Sequence, residues 1–220
     1  MAIRSSILAA CLLTTFHCLP AFAEEDAASP TDGDWSGYYL GTALAFSGGE
    51  NKWIQGTSDL ELVPGSWSGA LMVLSLGRTW QKGSLTYGAQ LSYGLSSFSA
   101  SPTSALFVTC SIACETIASD LITLRGRAGF AAGRMHYFAS GGLARADVTA
   151  TNQAGAIIVQ EDTLTGWTAG LGAERMINDE LSLSVTYDRV DLGTMDVPWV
   201  SAGQTDVNLD LFQLGMNYHW

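Results

Sequence analysis

Four charged residues sit where they could meet. Arg125 and Arg127 occupy alternate positions in DLITLRGRAGF, Glu174 closes GWTAGLGAE, and Asp188 lies in LSLSVTYDRVDLG. Residues two apart on a strand share a face, so both arginines project to one side. Arginine and carboxylate inside a narrow enclosure support two kinds of chemistry. They can pair and lock the walls together, or they can form a hydrated lining that selects passing solutes.

Two histidines are the next candidates. His136 follows the AAGR turn and His219 is the penultimate residue. Acid–base or nucleophilic work would need a hydroxyl or acid beside one of them on the same rim, and a satisfied or solvated histidine is the simpler reading. Cys110 and Cys114 are the cysteines that remain once the N-terminal segment is set aside. In an exported chain they read as a disulfide that clips a small loop. A metal site would need further ligands, and no His or Cys lies nearby in the sequence. There is no phosphate loop, nucleophile elbow or metal cluster, so the sequence implies no cofactor and no metal.

The elements that position these residues are strands. From Phe212 onward, Phe212, Leu214, Met216, Tyr218 and Trp220 alternate strictly with Gln213, Gly215, Asn217 and His219. A period of two means a strand whose faces meet different surroundings. The same alternation recurs at about 35–46, 69–80, 85–95, 120–130, 135–147, 164–174 and 181–192. Apolar faces such as Leu85, Tyr87, Ala89, Leu91, Tyr93 and Leu95 oppose Thr86, Gly88, Gln90, Ser92 and Gly94. Tight turns near 81–84, 131–134 and 175–180 alternate with long gaps at 47–68, 96–119, 148–163 and 193–206, which read as loops.

Eight strands of this length, with short and long connections in turn, predict an all-β fold. It is an eight-stranded antiparallel up-and-down transmembrane β-barrel. A soluble up-and-down barrel would carry its apolar residues inside. The Gly, Ser and Thr of the polar faces suit the crowded interior of a small barrel, and the aromatics of the other faces suit lipid. Trp35, Trp80, Tyr87, Tyr218 and Trp220 all fall at the same end and predict an inner, periplasmic aromatic girdle. Phe46, Tyr93 and Trp167 fall near the opposite rim. With an interior this narrow, Arg125, Arg127, Glu174 and Asp188 are expected to pair as a plug. Arg78 falls on the lipid phase near the girdle and can snorkel to headgroups. Arg189 falls on the lipid phase at the outer rim, where lipopolysaccharide phosphates are a possible partner.

The chain's start and its charge set the compartment. Arg4, the apolar run from Ile7 to Phe16 and Ala21-Phe22-Ala23 form a secretory signal over 1–23. An acidic leader with Pro and Gly follows over 24–34, and the barrel occupies 35–220. The formal net charge is −11, which argues against a nucleic-acid partner.

WSGYYLG, DLITLRGRAGF, YFASGGLA, GWTAGLGAE, LSLSVTYDRVDLG and the aromatic last strand together resemble a known group. It is the small outer-membrane β-barrel (porin-family) surface proteins of Gram-negative bacteria. The likeness is greatest to the immunogenic brucella and rhizobium type, related to the OmpA-like transmembrane barrel. The resemblance implies the cell outer membrane of a Gram-negative bacterium and a non-enzymatic role in surface and envelope integrity. A narrow porin for small solutes is the alternative, and a lipid A-modifying barrel enzyme a more distant one. It implies outer-membrane lipid and lipopolysaccharide as partners, and recognition of the terminal strand by the barrel-assembly machinery. The chain ends in Trp220 where the family usually ends in Phe. A closed barrel leaves no edge and is expected as a monomer.

Overall fold

The computed structural model describes residues 33–48, 50–55, 60–95, 98–102, 114–152, 158–197 and 203–220. The expected signal segment, most of the leader and Cys110 lie outside them. Cys114 begins a strand, but its side chain is also outside the described set, so the disulfide expectation is untouched.

Eleven strand segments follow one another: β1 (Gly37–Gly48), β2 (Glu50–Gln55), β3 (Leu60–Ser68), β4 (Ala70–Lys82), β5 (Leu85–Gly94), β6 (Phe98–Pro102), β7 (Cys114–Ala132), β8 (Met135–Asn152), β9 (Ile158–Met176), β10 (Leu181–Val197) and β11 (Gly203–His219). β2 continues the course of β1, β3 leads into β4, and β6 continues β5, so the segments form eight antiparallel staves. The ring runs β1, β4, β5, β7, β8, β9, β10, β11 and back to β1. The closing seam pairs Tyr39 with His219 and continues to Gly48 with Asp210. The last residue is tied in as well: the Trp220 N–H donates to the Tyr38 carbonyl, and the Tyr38 N–H to the Trp220 carbonyl, each at 3.0 Å. Closure of this kind leaves no backbone polar group facing lipid.

The turns lie at one end. Gly83 (φ 63°) and Gly133 (φ 58°) occupy the left-handed region, which costs glycine little, and no heavy atom crowds either site. In the third turn the Asn178 side-chain oxygen accepts the N–H groups of Glu180 and Leu181, at 3.0 and 2.7 Å. Around this end the outward aromatics stack in pairs: Trp80 on Tyr87 (5.6 Å), Phe130 on Tyr137 (5.2 Å) and Tyr218 on Trp220 (6.1 Å). Above them Leu40, Leu44, Leu76, Leu91, Leu124, Leu143, Leu171 and Leu214 face outward and exposed. Across this belt the predicted phases hold on all eight staves, with the apolar face out.

The expected long loops are largely strand. β2, β3 and β6 and the far ends of β7 to β11 carry the barrel well beyond the apolar belt. The reason is an inversion of faces. In this extension Val148, Ala150, Leu164, Val190, Leu192, Met195, Val207 and Leu209 point inward and form one buried cluster. Glu161, Asp162, Thr163, Thr165, Thr194 and Asp196 are exposed. A strand in water hides its apolar face inside, whereas a strand in lipid turns it out.

Candidate functional site

The turn-side half of the lumen holds the charges, and alternation alone delivers them there. Arg125 and Arg127 come from the inward phase of β7, Glu174 from β9 and Asp188 from β10. Their exposures are 6%, 7%, 2% and 1%, so all four are removed from bulk water. They divide into two pairs rather than one ring. Arg125 Nη1 meets Asp188 Oδ1 at 2.5 Å, and Arg127 Nη2 meets Glu174 Oε2 at 3.2 Å.

Each carboxylate is the hub of its own network. Asp188 Oδ2 accepts Gln213 Nε2 at 2.6 Å, and Ser92 Oγ lies 3.3 Å from Arg125 Nη2. Glu174 Oε1 accepts Ser182 Oγ and Asn217 Nδ2, each at 2.5 Å, and stands 3.2 Å from His219 Nε2. Arg127 also donates to the Tyr39 hydroxyl and lies over the Phe138 ring, 3.7 Å from its centroid. Buried charges persist only when paired and hydrogen-bonded in this way.

Trp35 corrects the sequence reading. It does not join the outward girdle with Trp80, Tyr87, Tyr218 and Trp220, but is 2% exposed and turned into the lumen. Its ring packs on His136 (4.9 Å) and edge-on to His219 (5.7 Å). The segment before β1 runs across the mouth: a Cβ on Gly33 would stand 3.3 Å from the carbonyl of Gly133. Gly133 lies in the turn joining β7 to β8, on the far side of the ring from β1. Trp35 thus stops the turn-side mouth beneath the Glu174 network.

Sequence reasoning also passed over Tyr39, Thr86, His136, Ser182, Gln213 and Asn217 as members of these networks. Their signal was phase: each lies on the inward side of its strand. Trp35 too shares the odd-numbered phase of Tyr39, Gly41 and Ala45. His136 bonds Thr86 Oγ1 through Nε2 at 2.8 Å, and its Nδ1 lies 3.9 Å from Glu174 Oε2.

Ser182, His219 and Glu174 invite comparison with a hydrolytic triad, but the geometry does not form one. His219 Nε2 meets both Ser182 Oγ (2.9 Å) and Glu174 Oε1 (3.2 Å), whereas a relay needs hydroxyl and acid on opposite ring nitrogens. Ser182 is also 0% exposed.

Among the described residues, two small voids lie beside the charges. One void of about 30 Å³ borders Arg125, Arg127, Gln213 and Asn217, and another of about 20 Å³ borders Arg125, Thr168 and Asp188. Each has room for a water or two, beside the Nε atoms of Arg125 and Arg127, which lack a protein partner. Beyond them lies the apolar cluster of the extension.

On the outer wall, Arg78 lies over Tyr38 and Trp80, 4.7 and 5.0 Å from their centroids. Arg189 is not a lone cation. Its Nη1 meets both oxygens of Asp210 at 3.0 Å.

Comparison with known proteins agrees with this architecture. The family description "Outer membrane protein beta-barrel domain" matches residues 9–219. The 31 kDa outer-membrane immunogenic protein of Brucella melitensis is 28% identical, the alignment covering 97% of this chain and 93% of that protein. The outer membrane protease OmpT of Escherichia coli superposes with a TM-score of 0.50 at 8% identity, over 89% of this chain and 99% of its own. Neisserial surface protein A gives 0.46 at 13% identity, over 84% and 98%. At 8% identity the OmpT likeness speaks to the fold alone.

Proposed function

Since the chain belongs to the outer-membrane protein β-barrel family, we propose that it is a closed, non-enzymatic anchor that supports the envelope and presents its strand extension at the cell surface. It resides in the outer membrane of a Gram-negative cell. In this reading the turns and Trp35 face the periplasm and the acidic extension faces outward. The immunogenic Brucella relative supports the surface placement. Lipid and lipopolysaccharide surround the belt, the terminal strand is the handle for the assembly machinery, and the closed ring works as a monomer.

One observation carries the proposal: among the described residues, two ion-paired networks occupy the lumen of the lipid-facing section and an apolar cluster packs above them. A narrow porin would need a continuous hydrated path, and among the described residues the voids beside Arg125 and Arg127, about 30 and 20 Å³, are each too small to be one. Catalysis would need an exposed nucleophile with a correctly placed base, and Ser182 with His219 offers neither. The test is conductance of the refolded chain in a planar bilayer, with insertion verified by protease protection. A silent bilayer is expected; steady, reproducible current steps would replace the anchor with a pore.

A further inference from the structure

Among the described residues, the ladder between β9 and β10 stops short of the extension that both strands enter, which leaves a seam there. β8 pairs with β9 out to Asn152 with Ile158, and β10 pairs with β11 out to Val197 with Gly203. The ladder between β9 and β10, however, ends at Trp167 with Asp191. Among the described residues, the outer part of β9 (158–166) keeps only β8 as a partner, and the outer part of β10 (192–197) keeps only β11.

The parting is built into the chain. β10 bulges between Asp191 and Thr194, with Gly193 at φ 78° and its N–H donating to Asp191 Oδ1 at 2.9 Å. A bulge bends its strand and increases the local twist, which here carries β10 away from its neighbour. Behind the seam Leu164, Leu192 and Met195 remain buried, so it opens on sheet edges rather than on the lumen.

Such edges are usually blunted by lysine or proline. Residues 158–166 and 192–197 contain neither. They carry Glu161, Asp162 and Asp196 instead, all exposed, with Asp191 at the base of the seam. The N–H of Thr163 turns to the side chain of its own neighbour, Asp162 Oδ1, at 2.8 Å. Acid on both sides repels a second copy of the same edges and attracts the opposite charge.

We propose that this seam is a docking edge for an extended, cationic peptide segment. The peptide adds as a strand to β9, the backbone supplying affinity and the acidic flank supplying selectivity. The inference rests on the extension facing outward, but not on whether the lumen conducts.

The test uses the full chain refolded in detergent micelles, its folding verified by heat-dependent gel migration. The probe is a short Lys–Val repeat peptide, compared with the same peptide N-methylated on consecutive amides, which cannot donate a backbone hydrogen bond from either edge. Saturable binding of the first is expected, weakened about tenfold or more by N-methylation as edge hydrogen bonds are lost. The Glu161→Gln/Asp162→Asn variant should weaken it about three- to tenfold, with a matching loss in high salt. Equal binding of the methylated peptide, or no saturable binding of either, would overturn the proposal. So would self-association of the protein through the seam, which would assign the edge to a second copy. A silent bilayer together with absent peptide binding would remove this inference and leave the anchor standing.

Discussion

The lipid-facing half of the barrel and the extension above it use one ring of strands in opposite senses. Below, apolar side chains face out and the interior is Arg125, Arg127, Glu174 and Asp188 with their partners. Above, Val207, Leu209, Met195 and Val148 face in and the acids face out. β11 shows the change within a few residues: Val207, Leu209 and Leu211 are buried inside, then Phe212, Leu214 and Met216 are exposed outside. Neither half is generically hydrophobic. Each presents apolar surface to whatever is not water, lipid outside below and its own packed interior above. Polar residues fill the lower lumen because the outer face has already taken the apolar ones. The cost of enclosing charge there is met by pairing.

The comparison can be broken most severely at Glu174. Glu174→Ala strips Arg127 of its carboxylate and leaves Ser182, Asn217 and His219 turned on an empty space. Orphaning a buried charge costs about 3–5 kcal/mol, measurable as a lowered urea midpoint for loss of the folded gel band. An apolar pair at the same sites, Arg127→Met with Glu174→Leu, should be less damaging than Glu174→Ala alone, because no charge is left unpaired. A double variant as unstable as the single would mean that the network does more than satisfy its own charges.

The contrast sharpens on the inward face of β11, where Leu209 belongs to the upper core and Gln213 to the lower network. Leu209→Ala should cost about 2–5 kcal/mol, but in the extension, as faster protease cutting beyond the belt while the heat-shifted band persists. Gln213→Leu should cost about 1–3 kcal/mol by removing one donor from Asp188, and should loosen the lower half instead. If both variants fray the same region, the two halves are not separate cooperative units.

The eight staves and their facing were legible because a period of two survives without any tertiary context. DLITLRGRAGF alone places Arg125 and Arg127 together and inward. The partition into two pairs was not legible, since it depends on where β9 and β10 fall around the ring. The extension was misread as loops for a physical reason. The reading tracked apolar residues as the outer face, and that rule reverses once a strand leaves lipid. Val148, Ala150 and Met195 then look like irregular apolar residues in a gap. Trp35 was misplaced by the same habit of assigning every aromatic at the turn end to lipid, although its phase matches Tyr39.

The smallest effect is expected at the boundary between the halves, at Arg189. Its ion pair with Asp210 is geometrically good, both oxygens at 3.0 Å, but the arginine side chain is 46% exposed. Pairs of that kind contribute about 0–1 kcal/mol, so Arg189→Ala should barely move the unfolding midpoint. Binding is the more informative readout. Asp210 also accepts the Tyr187 hydroxyl at 2.9 Å, so loss of Arg189 leaves an unneutralised carboxylate at the outer rim. Were the arginine free to bind lipopolysaccharide phosphate, its removal would weaken that binding strongly. Held by Asp210, it chiefly cancels a negative charge that would repel phosphate, and Arg189→Ala should weaken binding only slightly. The Arg189→Ala/Asp210→Asn double variant separates the two roles: restored binding identifies Arg189 as a neutraliser, and a persistent loss identifies it as a direct phosphate contact.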